Sequence, residues 1–161
     1  MEGDIRIGIG DLNVGKNPDT LITVGLGSCI GIAIYDKINK IGGLAHIMLP
    51  DSTQFSKINN EMKFANLAIP MLVDKLVKFG ANKRGMKAKI AGGASMFNFP
   101  DQKMTMDIGS RNADAVKRSL KELSIPIISE DVGGNKGRTL IFDTSNGIVK
   151  VKTAGLGIKE I

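Results

Sequence analysis

The chain is predicted to fold as one α+β domain spanning residues 1–161, a layered α/β sandwich with a mixed β-sheet and two principal helices. Three observations predict this class. Short runs rich in Ile, Val and Thr recur from end to end. Helical periodicity is confined to two principal stretches. Strands and helices do not alternate strictly, which argues a mixed sheet layered with helices. A length of 161 residues suits one domain with a real hydrophobic core, and no linker, repeat or second domain interrupts it.

Ile5 to Ile9 (IRIGI) reads as a first strand. GDLNVGKN, Gly10 to Asn17, nearly matches a phosphate-binding loop after a strand. Asn17 stands where the magnesium-binding hydroxyl is needed, and Pro18 follows where a helix should begin, so the stretch reads as a turn-rich connector. Leu21 to Val24 is a second strand. Ile30 to Tyr35 and Ile41 to Leu49 are Ile-rich and apolar on both faces, with the polar stretch Asp36 to Asn39 between them as a hairpin loop. Asp51 to Asn60 is polar and irregular, placed to form a rim or lid.

Glu61 to Phe79 carries an apolar stripe of Met62, Ala65, Ile69, Leu72, Leu76 and Phe79 at spacings of three and four, with Gly80 as the stop. Pro70 inside it predicts a kink or two helical pieces. Met86 to Ala91 is a strand that runs into Gly92-Gly93, a tight turn or anion nest. Asp101 to Asp107 reads as an exposed connection. Ala113 to Leu123 is the second helix, with Asn112 as its N-cap candidate and Pro126 helping to end it. Ile127 to Ser129 is strand-like, so Met86 to Ser129 predicts a βαβ unit with one parallel pair. Thr139 to Asp143 and Ile148 to Thr153 form a hairpin about Asn146-Gly147, and residues 154–161 carry no signal.

Composition narrows the function. Hydrophobic residues make up 42% and charged residues 24%, an ordinary soluble balance. No apolar run approaches the ~20 residues of a membrane helix, so membrane insertion is not expected. The N-terminus has no signal-peptide pattern, and a single cysteine suits a reducing cytoplasm. One Cys and one His exclude the usual zinc site, and neither a metal nor an organic cofactor is expected. The net charge of +6 favours acidic partners or suits a Lys-rich soluble surface. Aromatic residues are too few to interleave with the basic ones as stacking platforms, so nucleic-acid binding is not expected.

The candidate chemistry lies in TVGLGSC, Thr23 to Cys29, and GGLAHIMLP, Gly42 to Pro50, which hold the sole cysteine and the sole histidine. A thiol does chemistry as its thiolate, and an imidazole within hydrogen-bond reach takes the proton and later returns one to a leaving amine. With Asp36–Asn39 as the loop, Tyr35 pairs with Lys40 and Cys29 falls directly opposite His46, where Cβ atoms stand roughly 4.5–5.5 Å apart. Gly25, Gly27 and Ser28 lead into the nucleophile and are the candidate substrate and oxyanion loop. Thr23 is an ordinary strand residue or a third member that orients the imidazole. Taken alone, these features leave a structural Cys and a structural His as live alternatives.

TVGLGSC, GGLAHIMLP, KIAGGASMF, IGSRN and EDVGGN, in this order, resemble the CheD family of chemotaxis proteins. The resemblance implies a layered α/β sandwich, related to a toxin deamidase domain with a Cys–His site. It implies a chemoreceptor glutamine deamidase that hydrolyses glutamine side-chain amides on methyl-accepting receptors, through a thioester, with Cys29, His46 and Thr23 as the catalytic triad. It also implies binding to a CheC-type phosphatase. The competing expectation is a regulatory binding module for receptor or phosphatase whose catalytic residues are idle. The positive surface would help the chain meet acidic receptor segments. FNFPDQKMTMD, before IGSRN, is expected to reshape one rim.

Overall fold

The computed structural model describes residues 3–95 and 107–161, and among these ten strands form two five-stranded sheets. The front sheet runs β1 (Asp4–Arg6), β3 (Thr20–Leu26), β8 (Arg138–Asp143), β9 (Val149–Thr153), β10 (Gly157–Glu160). The central sheet runs β2 (Asp11–Lys16), β5 (Ile41–Ile47), β4 (Ile30–Asp36), β6 (Met86–Gly92), β7 (Ile127–Val132). Helices α1 (Ala65–Phe79) and α2 (Ile108–Glu122) cover the far face of the central sheet. The order of layers is therefore helices, central sheet, front sheet, and the expected α+β class holds.

Two cores fix this arrangement. Ile30, Ile32, Ile34, Ala45 and Ile47 of the central sheet pack with Ile69, Leu72 and Leu76 of α1 and Val116 and Leu120 of α2. On the opposite face Ala33, Leu44 and Ala91 meet Leu21, Leu140, Phe142 and Val149 of the front sheet. A sheet covered on both sides has no polar face, which is why β4 and β5 read as unbroken apolar runs.

The βαβ expectation holds, since β6 and β7 pair in parallel with α2 between them. The hairpin of β8 and β9 also stands where Asn146-Gly147 places it. Helix α1 runs through Pro70. The interruption falls instead at Phe64, an extended residue that bridges to Leu49 and separates a 3-10 turn at Glu61–Lys63 from α1. GDLNVGKN is largely strand, not connector. Leu12 and Val14 alternate into the helix-side core while the stretch pairs with β5 at the sheet edge, where Gly and Asn are tolerated. Helix α2 begins earlier than expected, capped by the Asp107 carboxylate accepting from Gly109 N–H at 3.1 Å. Asn112 is thus a buried residue within the helix. Residues 157–160 form β10. The exposed connection and rim expected before Asp107 fall mainly on residues 96–106, outside the described residues.

The hairpin register differs by two residues from the expected one. Asp36 pairs with Ile41 and Gly31 with His46. The cause is Asp36, which is buried and accepts hydrogen bonds from Ile38 N–H, Asn39 N–H, the Asn39 side chain and Asn82 N–H. Burial pushes its carboxyl pKa up, but these bonds pull it below the usual range overall. They bind Asp36 into the strand end and leave Lys37–Lys40 as the loop. Cys29 therefore stands diagonal to His46, not opposite. A shift of two keeps every side chain on its face, so the pair still shares the face toward the front sheet.

Gly92 is the backbone contact that seats the Cys29 loop. Its φ is +117°, and a Cβ there would lie 2.1 Å from the Cys29 carbonyl oxygen. Gly92→Ala is expected to destabilise the chain by about 2 kcal/mol or more, from left-handed strain and the backbone clash together. Urea unfolding measures this, and a change below about 0.5 kcal/mol would mean that the close approach is not maintained.

Candidate active site

The site is built where the chain crosses between sheets. Thr23 lies on β3 of the front sheet, His46 on β5 of the central sheet, and Gly27–Cys29 is the crossing from β3 to β4. Thr23 and His46 are fully buried, and Cys29 is half-buried against the core between the sheets. Gly31, directly opposite His46, has no side chain to crowd the ring; a Cβ there would meet Leu140, Leu26 and Thr23 at 3.1–3.5 Å.

The protonation of His46 follows from counting hydrogens. Thr23 Oγ1 lies 2.7 Å from the Ile7 carbonyl oxygen and 2.7 Å from His46 Nδ1. A hydroxyl has one proton. A carbonyl only accepts, so that proton goes to Ile7, and Thr23 Oγ1 must accept from His46 Nδ1–H. The Nε2 atom then carries the lone pair, and it is buried with no hydrogen-bond partner among the described residues. The Cys29 thiol thus makes no hydrogen bond to Nε2, so the thiol–imidazole contact expected from the sequence is not made; the two side chains share a face, with Nε2 free to accept a proton.

The crossing loop is held by its carbonyls. Gly27 C=O accepts from Ala94 N–H at 2.8 Å, and Cys29 C=O from Gly93 N–H at 2.9 Å. Ser28 C=O accepts from Asn112 Nδ2 at 2.9 Å, and the same amide donates to Met48 C=O at 3.1 Å. The carbonyl and N–H of a trans peptide point in opposite directions. Fixing Gly27 and Ser28 C=O toward β6 and α2 therefore turns the Ser28 and Cys29 N–H groups away from them. Neither N–H has a backbone acceptor among the described residues. Both N–H groups thus lie near the thiol in the chain, the Cys29 N–H bonding its own sulfur, and donors of this kind can hold a developing oxyanion.

A further layer supports this one. Gly133 N–H donates to Gly92 C=O at 3.0 Å, and buried Arg138 donates to the carbonyls of Gly92 and Gly133 at 3.1 and 2.6 Å. Gly10 N–H donates to His46 C=O, and Asn60 Nδ2 donates to Gly10 C=O at 2.8 Å, which ties residues 51–60 to the His46 strand. Gly25, with φ +75°, lies in β3 with open space where a Cβ would stand, and its carbonyl accepts from Gly27 N–H at 3.1 Å. Sequence reasoning missed Ile7, Ala94 and the clamp by Asn112. A polar residue on the buried stripe of α2, one turn before Val116, was the available signal for Asn112. No three His, Cys, Asp or Glu side chains converge to hold a metal ion among the described residues.

Burial disfavours the charged form of both Cys29 and His46. Burial pushes the Cys29 thiol above its ordinary pKa, with its own backbone N–H partly offsetting this. Burial lowers His46 to about 4. Thr23 is a neutral acceptor and supplies no charge to stabilise an imidazolium.

Comparison with known proteins identifies the family of the chain. The family model described as CheD chemotactic sensory transduction matches residues 48–153. A Clostridium botulinum (strain Hall) protein named probable chemoreceptor glutamine deamidase CheD is 72% identical over 158 residues, covering 98% of each chain. A Clostridium kluyveri protein of the same name is 66% identical over the same share of both chains. The chain belongs to the CheD family. The model match begins after His46, so in this CheD chain Thr23, Cys29 and His46 lie within the span of the relatives but outside that match. Among solved structures, the crystal structure of Bacillus licheniformis hypothetical protein YfiH has a TM-score of 0.47 at 17% identity, covering 78% of this CheD chain and 51% of its own. No helix among the described residues is long and apolar enough to cross a membrane.

The depressed His46 pKa has a consequence for stability. Between the unfolded value of 6.5 and about 4, the unfolded chain binds a proton that the folded chain excludes. Stability is full above 6.5 and is lost as pH falls through that window, by about 1.4 kcal/mol per unit and on the order of 3 kcal/mol in all. Urea unfolding from pH 7.5 to 4.5 reads this slope, and His46→Gln should flatten it. An equal slope in the variant would place the titration elsewhere.

Proposed function

We propose that the chain is a cysteine amidohydrolase that converts glutamine side chains of chemoreceptors to glutamate. The observation that carries this reading is the Thr23–His46 hydrogen bond, which leaves a bare, buried Nε2 on the face shared with the half-buried thiol. The names of the relatives supply the substrate, and the proposal brings it to this chain.

The thiol proton passes to His46 Nε2 as sulfur bonds to the glutamine amide carbon. The carbonyl oxygen becomes an oxyanion, held by the Ser28 and Cys29 N–H groups, each such donor typically contributing ~2.7–4 kcal/mol to the barrier reduction. Collapse breaks the C–N bond, and Nε2 returns its proton to the departing nitrogen, releasing ammonia and leaving a thioester. Water then gives a proton to Nε2 and its oxygen adds to the thioester carbon. The C–S bond breaks, sulfur regains its proton, and glutamate is released. Nδ1–H stays on Thr23 Oγ1 throughout.

The substrate face is apolar and open. Ile9 and Val24 are more than half exposed. Ile9 adjoins Gly10, which bonds His46, and Val24 adjoins Thr23. They offer a landing surface for the apolar flank of a receptor helix. Residues 51–60, anchored through Asn60, form the neighbouring rim. A CheC-type phosphatase would use this face in competition with receptor, and the chain would act where receptor helices are cytoplasmic.

Cys29→Ala should abolish the gain of about one mass unit that marks each converted glutamine, by the NH₂-to-OH exchange. Unchanged conversion in that variant would exclude Cys29 as the nucleophile, whereas a binding module would show no conversion in the parent chain and intact partner binding in the variant. Asn112→Ala should lower kcat by about tenfold to a hundredfold through loss of amide alignment, with KM and the alkylation rate of Cys29 little changed. Loss of alkylation together with kcat would instead indicate a general collapse of the loop.

A further inference from the structure

We infer that the chain holds a second ligand site, unrelated to the deamidation chemistry, which takes a small organic anion with an apolar body between the two sheets at the far end of β4 from Cys29. A cavity of about 580 Å³ opens there. This lies within the ~300–1,000 Å³ range of small-molecule sites.

Its walls are apolar and its polar groups are cationic. Ala33 and Tyr35 of β4 face Phe142 and Val149 of the front sheet across it, with Ile128 at the mouth. Tyr35 and Phe142 meet edge to face at 5.7 Å, and the Tyr35 hydroxyl is fixed to the Thr144 carbonyl at 2.7 Å, so the aromatic wall is preformed. Lys37, Arg84, Lys87 and Lys89 line the same cavity.

Lys87 and Lys89 stand out. They occupy alternate positions of an interior strand of the central sheet, on the side that faces the front sheet, where apolar residues belong. Lys89 is half-buried, and its ammonium donates to Gly147 C=O at 3.1 Å and Ile161 C=O at 2.6 Å. An ammonium has three N–H donors, so one remains. Burial lowers its pKa, and Glu160 only partly compensates. Lys37, Arg84 and Lys87 have no carboxylate partner among the described residues. Of the carboxylates nearby, Asp36 is bound into its own turn, Asp143 Oδ1 accepts from Ser145 N–H and Oγ, and Glu160 lies near Lys89.

Lys37, Arg84 and Lys87 are exposed and, with the remaining Lys89 donor, set a positive field at the opening of an apolar cavity, which favours an anion there. A bare inorganic ion would satisfy the cations and leave the aromatic wall wet. A neutral apolar molecule would fill the wall and leave the cations unmet. A carboxylate, sulfonate or phosphate on an aromatic or aliphatic body satisfies both. The positions are remote from Thr23, Cys29 and His46, so the site stands whether or not the deamidase reading does.

The test uses the full chain and 1-anilinonaphthalene-8-sulfonate, with neutral N-phenyl-1-naphthylamine as control. The sulfonate should bind saturably at one site per chain and at least tenfold more tightly than the neutral probe. Amide resonance changes should centre on Ala33, Tyr35 and Phe142 and spare Cys29. Lys87→Glu and Arg84→Glu, both at exposed side chains, should each weaken sulfonate binding at least tenfold at an unchanged thermal midpoint, and Lys37→Glu serves if either fails to fold. Absence of saturable binding at low salt, equal affinity for the neutral probe, indifference to charge reversal, or resonance changes spread over the chain would each overturn the site.

Discussion

One hydroxyl proton fixes the tautomer of the only histidine in this chain. Thr23 Oγ1 sits between the Ile7 carbonyl and the His46 ring, and because it has a single hydrogen its two bonds run in one direction. The front sheet thereby dictates which nitrogen of a histidine in the central sheet is bare. The contact also sets the price of the arrangement: a neutral acceptor inside a dry interface leaves His46 hard to protonate. A carboxylate in that place would favour the thiolate–imidazolium pair, whereas a threonine keeps the resting site uncharged. In the proposed mechanism, proton transfer is then confined to the moment of attack, when the developing oxyanion and the loop amides share the charge.

The loop from Gly27 to Cys29 shows how a turn is held in place without a long element under it. Three successive carbonyls, Gly27, Ser28 and Cys29, are gripped by Ala94, Asn112 and Gly93. Peptide planarity converts that grip into the orientation of two amides on the opposite side. Behind these stand Gly133 and Arg138 on the Gly92 carbonyl. Gly27 to Cys29, Gly92 to Ala94, Asn112 and Gly133, distant in the chain, are thus successive layers around one turn.

Much of the fold was legible because the local rules and the tertiary structure agree. The double-faced apolar runs of β4 and β5, the stripe on α1 and the Asn146-Gly147 turn each point to the observed element. GDLNVGKN was misread because its Asp, Asn and Gly look like turn residues, although Leu12 and Val14 already alternate as an edge strand does. The hairpin register was off by two because a buried Asp36 closes the turn through four hydrogen bonds, which no pairing count anticipates. Faces survive an even shift, so Cys29 and His46 remain on one side. Thr23 was a candidate through family resemblance alone, since its contact crosses between sheets. Asn112 looked like a cap because asparagine usually serves there, and only the position of α2 shows that it clamps two carbonyls instead.

The most direct test of the account is the tautomer of His46, and the chain contains no other histidine to confuse it. Long-range proton–nitrogen correlation of the uniformly nitrogen-15-labelled protein reads both ring nitrogens at once. A protonated Nδ1 and an unprotonated Nε2, unchanged from pH 7.5 to pH 5.5, is the predicted result. A proton on Nε2, or a ring that titrates near 6.5, would contradict it.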